Sequence, residues 1–278
     1  MKVFSLLRHN KLALIGSIAL LIMLLISLLT PFITSTDPSL MQPRLRLRPP
    51  GADFWFGTDA LGRDLFSRVL YGSRTSLLIG LLAAGGTIAI GALIGLIAGA
   101  SRFWDRILMR IMDGLMAIPG ILLAIALVSL IGANLYSVVL AITLPEIPRV
   151  VRLVRGVVLT LREEAYIEAA IGLGIPRYKV MWRHILPNCL PPLIVQASYV
   201  FAAAILLEAA LGFLGVGFPP QTPTFGNIMA EGRPVFQRAP WVTTAPGIFL
   251  ALTVLAVNVL GDGLRDRLDP KMAGRTHD

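Results

Sequence analysis

The sequence predicts an all-α protein, a polytopic membrane helix bundle of about six transmembrane helices. Two observations carry that expectation. The 278 residues are 55% hydrophobic and 15% charged, with a mean hydropathy of +0.75, whereas soluble domains average roughly 25% charged residues. The apolar residues are also gathered into long blocks, not into the short stripes of amphipathic helices.

A spanning helix needs about 20 mostly apolar residues, each advancing ~1.5 Å through a core ~30 Å thick. Six stretches qualify or nearly do: 12–32, 76–100, 107–131, 135–151, 193–217 and 243–260. The first follows Lys2, Arg8 and Lys11. It exceeds the ~7–15 residues of a signal-peptide core, and Thr30, Pro31 and Phe32 offer no cleavage site, so it reads as a retained anchor with a cytoplasmic N-terminus. In the second, Gly91, Gly95 and Gly99 share one helix face. Lipid supplies no hydrophobic drive between helices, so small residues that let backbones approach become the packing surface. Near the start of the third, Arg110 and Asp113 stand at i and i+3, a spacing that permits a pair. The fourth is the weakest: Pro145, Glu146 and Pro148 interrupt it, Arg149, Arg152 and Arg155 follow, and the prolines should kink it. The fifth carries Glu208 about two thirds of the way along. A carboxylate at that depth costs a few kcal/mol on insertion scales and should face protein or water.

Six crossings from a cytoplasmic start place the N-terminus, 101–106, 152–192 and the C-terminus inside. Most of the 25 lysines and arginines fall there, as the positive-inside rule requires. The first outer loop is the exception, with Arg44, Arg46, Arg48, Arg63, Arg68 and Arg74 beside Asp37, Asp53, Asp59 and Asp64. The organisation is a tip and anchor helix over 1–32, an outer-face loop with an amphipathic segment over 33–74, a transmembrane core over 75–265 and a cytoplasmic tail over 266–278. The net charge of +9 does not indicate nucleic acid: the basic residues flank apolar blocks, where they meet anionic lipid headgroups. Cys189 is the only cysteine, which excludes an internal disulfide, and no cysteine cluster exists to hold a metal.

The most specific pattern lies in the long inner loop, at 162–188. It reads Glu168-Ala169-Ala170, three residues, Gly174, nine residues, His184, Ile185 and Leu186-Pro187-Asn188. Residues 163–171 are rich in helix formers, and Gly172, Gly174 and Pro176 then break the helix before a second short one. A helix, a sharp turn and a second helix make a compact protrusion. Ala169, Ala170 and Gly174 add little bulk, which would let a partner approach the backbone, and Glu168 offers an anchoring charge.

This loop resembles the EAA loop of importer-type ABC permeases, with His184 in the usual isoleucine position, as in the peptide-permease branch. The resemblance extends through the run from Phe56 to Asp64, Ser67-Arg68, Tyr71 to Arg74, Met109 to Asp113, Glu208-Ala209-Ala210 to Gly217, Phe225-Gly226-Asn227 to Arg233, and Gly261 to Lys271. These segments are similar to those of C-type permease subunits of bacterial dipeptide and oligopeptide ABC importers, with Phe225 where tryptophan is frequent. The resemblance implies a type I ABC importer permease fold in the bacterial cytoplasmic (inner) membrane. It implies that Glu168, Ala169, Ala170, Gly174, His184, Leu186 and Pro187 form a coupling element seated on an ATPase. The partners it implies are a homologous second permease subunit, two ATP-binding cassette subunits that hydrolyse ATP with Mg, an extracytoplasmic substrate-binding protein docking near 218–241, and a peptide substrate. Glu208 then either lines or gates the peptide path or hydrogen-bonds a neighbouring helix.

The chain itself carries no phosphate-cradling G-x-x-x-x-G-K-[ST] segment and no Gly-Lys pair. A membrane hydrolase would need a nucleophile with a base in reach, yet His9, His184 and His277 lie outside the spans, and neither H-E-x-x-H nor G-x-S-x-G occurs. For an ion-coupled carrier, Glu208 alone is thin support. The expectation is therefore a non-enzymatic transporter subunit that binds no cofactor of its own.

Overall fold

The computed structural model describes residues 11–268; Lys2, Arg8, His9, the Asp269-Pro270-Lys271 run and His277 lie outside the described residues. Helices dominate, and the only β pairing among the described residues is an isolated bridge between Thr58 and Asp64. Helix α1 (Lys11–Ile33) matches the first apolar stretch.

Helix α2 (Leu65–Ala100) starts well before residue 76, where the apolar block begins. Asp64 explains the earlier start: its carboxylate accepts from the Ser67 amide at 3.1 Å, capping the first turn, and Leu65, Val69 and Leu70 are buried there. At 36 residues the helix is ~54 Å long, well beyond a ~30 Å lipid core. Its first turns carry Arg68, Ser73 and Ser76, each buried against protein.

The third expected span is corrected by the structure. Residues 107–131 are not one helix but parts of α3 (Arg102–Met116) and α4 (Gly120–Ile131), which meet at 88°. Pro119 has no amide hydrogen and disfavours helix at Ile118, while the Ala117 amide turns back to the Asp113 carbonyl and closes α3. Polarity reinforces the break, because Arg102, Asp105, Arg106, Arg110 and Asp113 all lie on α3.

Helix α5 (Leu135–Arg162) runs through Pro145 and Pro148 as one helix and continues past residue 151. An Asn134–Ser137 capping box starts it. Its charges leave it less apolar than a free-standing span. By length and composition four helices qualify, α1, α2, α8 (Leu186–Phe213) with its lead-in, and α10 (Trp241–Leu268), with the α3–α4 pair as a bent fifth.

Packing and pairing support α5 instead. Val150, Val154 and Val158 are at most 1% exposed and sit against the glycine face of α2. A methyl group added at Gly91 would lie 2.6 Å from Val150 Cβ, at Gly95 2.7 Å from Val154 Cβ, and at Gly99 2.6 Å from Val158 Cβ. These approaches leave no room for any side chain, which is the close contact that the four-residue glycine spacing predicts. On its other side α5 meets α3: Arg155 clasps Asp105, with Nη2 at 2.8 Å from Oδ2, and Arg152 Nη2 lies 2.6 Å from Asp113 Oδ1. Asp113 thus pairs across helices with Arg152, not along its own helix with Arg110.

The two ends of α2 define the ends of the molecule that bear on function. Its C-terminus meets the loop that follows α5. Its N-terminus meets the 34–64 segment, the short helix α9 (Phe225–Gly232) and the start of α10.

Candidate functional site

At the first end, Arg162 closes α5 and donates from Nη1 to the Gly99 carbonyl at 2.8 Å, capping the last turn of α2 with a positive charge. Helix α6 (Ala165–Gly172) follows. Gly174 then adopts φ of +81°, and its amide donates to Ile171 O at 3.0 Å while the Ile175 amide donates to Ala170 O at 3.2 Å. This pair of bonds is a Schellman stop, which glycine satisfies without a Cβ penalty. Pro176 caps α7 (Arg177–Val180), a five-residue π-turn (Met181–Ile185) follows, and α8 begins at Leu186. The lead-in from Arg177 is therefore helical, so α8 with its lead-in begins well before residue 193, where the fifth span was expected.

The helical period of α6 assigns its faces. Ile167 is fully buried and Ala170 is 8% exposed, and they share one cluster with Val180, Ile185 and Cys189. Glu168, Ala169, Gly172 and Leu173 point outward, Leu173 at 82% exposure. The expected partner face is thus narrower than the motif: Ala170 is small because it seats α6 on its own chain. The Glu168 carboxylate has no hydrogen bond or ion pair within the described residues. His184 is half-buried, its ring centroid 6.5 Å from that of Tyr166, and its carbonyl accepts from Asn188 Nδ2 at 2.6 Å. Leu186 is half-buried and Pro187 exposed in the first turn of α8. The wide turn, closed by the Leu186 amide on Met181 O, brings in the helix ahead of Pro187, which has no amide to donate.

At the other end, α9 lies backbone to backbone on α8. A methyl at Gly226 would fall 2.5 Å from Ala209 O, and one at Gly212 would fall 2.9 Å from the Asn227 amide nitrogen. That contact explains small residues in both Glu208-Ala209-Ala210 and Phe225-Gly226-Asn227. Thr224 and Asn227 form a capping box at the start of α9, and Asn227 Nδ2 also donates to Thr222 O at 2.8 Å, fixing the 218–223 turn. Glu208 lies beneath, 1% exposed. Ser76 Oγ donates to its Oε2 at 2.8 Å and accepts from the Phe225 amide at 3.4 Å, so one carboxylate and one hydroxyl tie α8, α2 and α9 together.

Above this joint sits a buried charge cluster that sequence reasoning missed. Arg63 Nε donates to Asp59 Oδ2 at 2.5 Å, Arg63 also pairs with Glu231, and Arg68 Nη2 lies 3.1 Å from Glu231. The side chains of Asp59, Arg63 and Arg68 are at most 4% exposed and that of Glu231 is 23% exposed. Two cations and two anions neutralise one another, which is the condition for burying them. Partial burial pushes the Glu231 carboxyl up from its ordinary value, with Arg68 and Arg63 opposing the shift. The cluster fastens the 34–64 segment to α9. Its only trace in the sequence was the mixture of acidic and basic residues in a loop where positive charge is disfavoured.

A family described as binding-protein-dependent transport system inner membrane component matches residues 91–274. A second, described as the N-terminal TM domain of oligopeptide transport permease C, matches residues 2–50. A probable peptide ABC transporter permease protein of Sinorhizobium fredii is 50% identical over 96% of this chain and 92% of its own length. A dipeptide transport system permease protein of Alkalihalophilus pseudofirmus is 45% identical over 97% of this chain and 89% of its own. Among solved structures, an inward-facing conformation of the MetNI methionine ABC transporter superposes with a TM-score of 0.59 at 18% identity, covering 73% of this chain and 96% of that one, a likeness of fold.

Proposed function

The chain belongs to the family of binding-protein-dependent transport system inner membrane components, the permease subunits of ATP-driven importers, and from that premise we propose that it supplies half of an alternating-access pathway for di- or oligopeptides. The other half is a homologous permease subunit. Two ATP-binding cassette subunits hydrolyse ATP with Mg and grip loop 162–188 in the cytoplasm, where both termini of this chain also lie. An extracytoplasmic binding protein delivers peptide at the opposite end.

One observation supports this reading above the others. The 162–188 segment is a preformed two-helix protrusion, anchored inward by Ile167 and Ala170 and presenting Glu168 and Leu173 outward, while the platform of α9 and 34–64 occupies the other end of the same helix α2. When ATP closes the ATPase pair, a handle fixed to α2 through Arg162 and Gly99 transmits displacement along one rigid helix. The population then shifts from inward-open to outward-open. Glu208 takes the role of a joint: buried and bonded to Ser76, it holds the platform on the helices that move.

Reconstitution of the complex with its ATPases and binding protein tests the reading. Loaded binding protein stimulates ATP hydrolysis and drives uptake of di- or oligopeptides in preference to nickel. Glu168→Lys and Gly174→Trp leave membrane insertion intact but separate hydrolysis from uptake; variants that transport normally and retain unchanged amounts of ATPase would defeat the assignment of this loop.

A further inference from the structure

The platform carries charge that nothing among the described residues neutralises. Arg44, Arg46 and Arg48 are all exposed, and their guanidinium groups have no ion-pair or hydrogen-bond partner among the described residues. Their neighbours differ sharply: Arg63 and Arg68 are buried and paired with Asp59 and Glu231. Of the nearby acids, Asp37 is taken by Ser39, whose amide lies 2.8 Å from Oδ1. Three free arginines in a translocated loop run against the distribution that topology favours.

Their presentation is rigid. The backbone is pinned on both sides: Leu47 N donates to Asp59 O at 3.1 Å, Arg48 N to Thr58 Oγ1 at 2.8 Å, and Thr58 N to Arg48 O at 3.0 Å. Leu47 holds φ of +53°, the sole positive φ outside glycine among the described residues, a conformation that persists only where its surroundings impose it. Leu47 packs with the cluster that holds Leu65 and Phe225, so the strained residue turns inward between two arginines that stay outward. Between Arg48 and Thr58 lies a tight turn, with Gly51 N on Phe54 O at 2.9 Å, which exposes Trp55 to 66% while its ring rests 4.9 Å from Phe66.

Arg44 lies in a single 3-10 turn (Pro43–Leu45) that Arg46 closes, and Arg48 follows two residues later, so three exposed cations stand within five residues of a folded segment. A single carboxylate can neutralise only one of them; an acidic protein face can meet all three. Arginine and tryptophan are also the residues most enriched where protein surfaces bind.

We propose that Arg44, Arg46 and Arg48, flanked by Trp55, form the surface on which an acidic face of the extracytoplasmic binding protein docks. The proposal rests on the transport function and on the outward orientation of this end. The charges act on encounter and register, and the chemistry of transport does not depend on them.

The test uses the whole complex in nanodiscs, titrated with its purified, peptide-loaded binding protein, with ATP hydrolysis as the readout. In the triple variant Arg44→Gln, Arg46→Gln, Arg48→Gln the half-saturating concentration rises about tenfold or more at low salt, maximal hydrolysis is unchanged, and high salt brings wild type and variant together. The triple lysine variant keeps the charge and stays close to wild type, which distinguishes lost attraction from damaged folding. The proposal is overturned if the glutamine variant saturates like wild type at low salt, or if the lysine variant fails as the glutamine variant does. It is also overturned if the effect tracks the anionic-lipid content of the nanodisc and not the binding-protein concentration. A wild-type complex that loaded binding protein does not stimulate at all would remove the functional reading itself, a separate result from stimulation that the variants retain.

Discussion

Replacing Gly91 by alanine adds one methyl group where α2 and α5 touch. That methyl would lie 2.6 Å from Val150 Cβ and 2.7 Å from its Cγ1, against an ordinary carbon contact of about 3.5–4.0 Å. Relieving the clash requires the two helices to separate locally by about 1 Å, and overpacking of this kind costs about 1–3 kcal/mol. The structure also dictates which second substitution repairs it. Val150→Ala does little, because alanine retains the Cβ that clashes. Val150→Gly removes both atoms, and the next contact is Ile147 O at 3.4 Å; the substitution itself costs about 1 kcal/mol of helix propensity as well as the packing of a fully buried side chain. A double-mutant cycle on thermal unfolding of the detergent-solubilised complex therefore tests the contact: Gly91→Ala should cost clearly less in the Val150→Gly background than in wild type or in the Val150→Ala background. A Gly91→Ala protein as stable as wild type, or rescue by Val150→Ala equal to that by Val150→Gly, would refute the backbone-contact argument.

Glu231→Ala leaves Arg63 and Arg68 facing only Asp59; breaking a buried pair costs up to about 3–5 kcal/mol, and the partial exposure of Glu231 places this case at or below the lower bound. The 34–64 segment should become protease-sensitive while the helices remain protected, and an unchanged digestion pattern would contradict the latch. Glu208→Gln keeps an acceptor for Ser76 and should retain stability and uptake, whereas Glu208→Ala loses about 1–3 kcal/mol; a glutamine variant that keeps its stability but loses uptake would favour direct contact with peptide. Asp105→Asn weakens a pair whose side chains are 25% and 31% exposed, so its thermal shift should correspond to no more than about 1 kcal/mol.

Periodicity and local chemistry were legible in the sequence, and distant pairing was not. The glycine spacing of α2 announced its contact with α5 because helix geometry alone puts residues 91, 95 and 99 on one face. Loop 162–188 was legible for a similar reason: Gly174 and Pro176 encode a stop and a restart within a few residues. Averaging over an apolar block concealed the 88° break at Pro119, since a window long enough to find a span is too long to resolve a corner. It also hid the early start of α2, which depends on one capping aspartate. Asp113 looked paired with Arg110 because only its own helix was in view, and Arg152, its actual partner, lies 39 residues away. In the Asp59, Arg63, Arg68 and Glu231 cluster, Arg63 pairs with Glu231 across 168 residues, a separation over which a single sequence contains no signal of contact.

The chain offers a direct probe of where its handle lies. Cys189 is its only cysteine and is completely buried, so Leu173→Cys, at an exposed position in the turn after α6, becomes the one reactive thiol. Leu173 is 82% exposed, so membrane-impermeant maleimide should label this variant in inside-out vesicles stripped of ATPase, fail to label it in intact spheroplasts, and be excluded once the ATPase subunits are restored. Labelling from the outer side, or labelling unaffected by bound ATPase, would contradict the claim that this loop is the point where ATP hydrolysis takes hold of the permease.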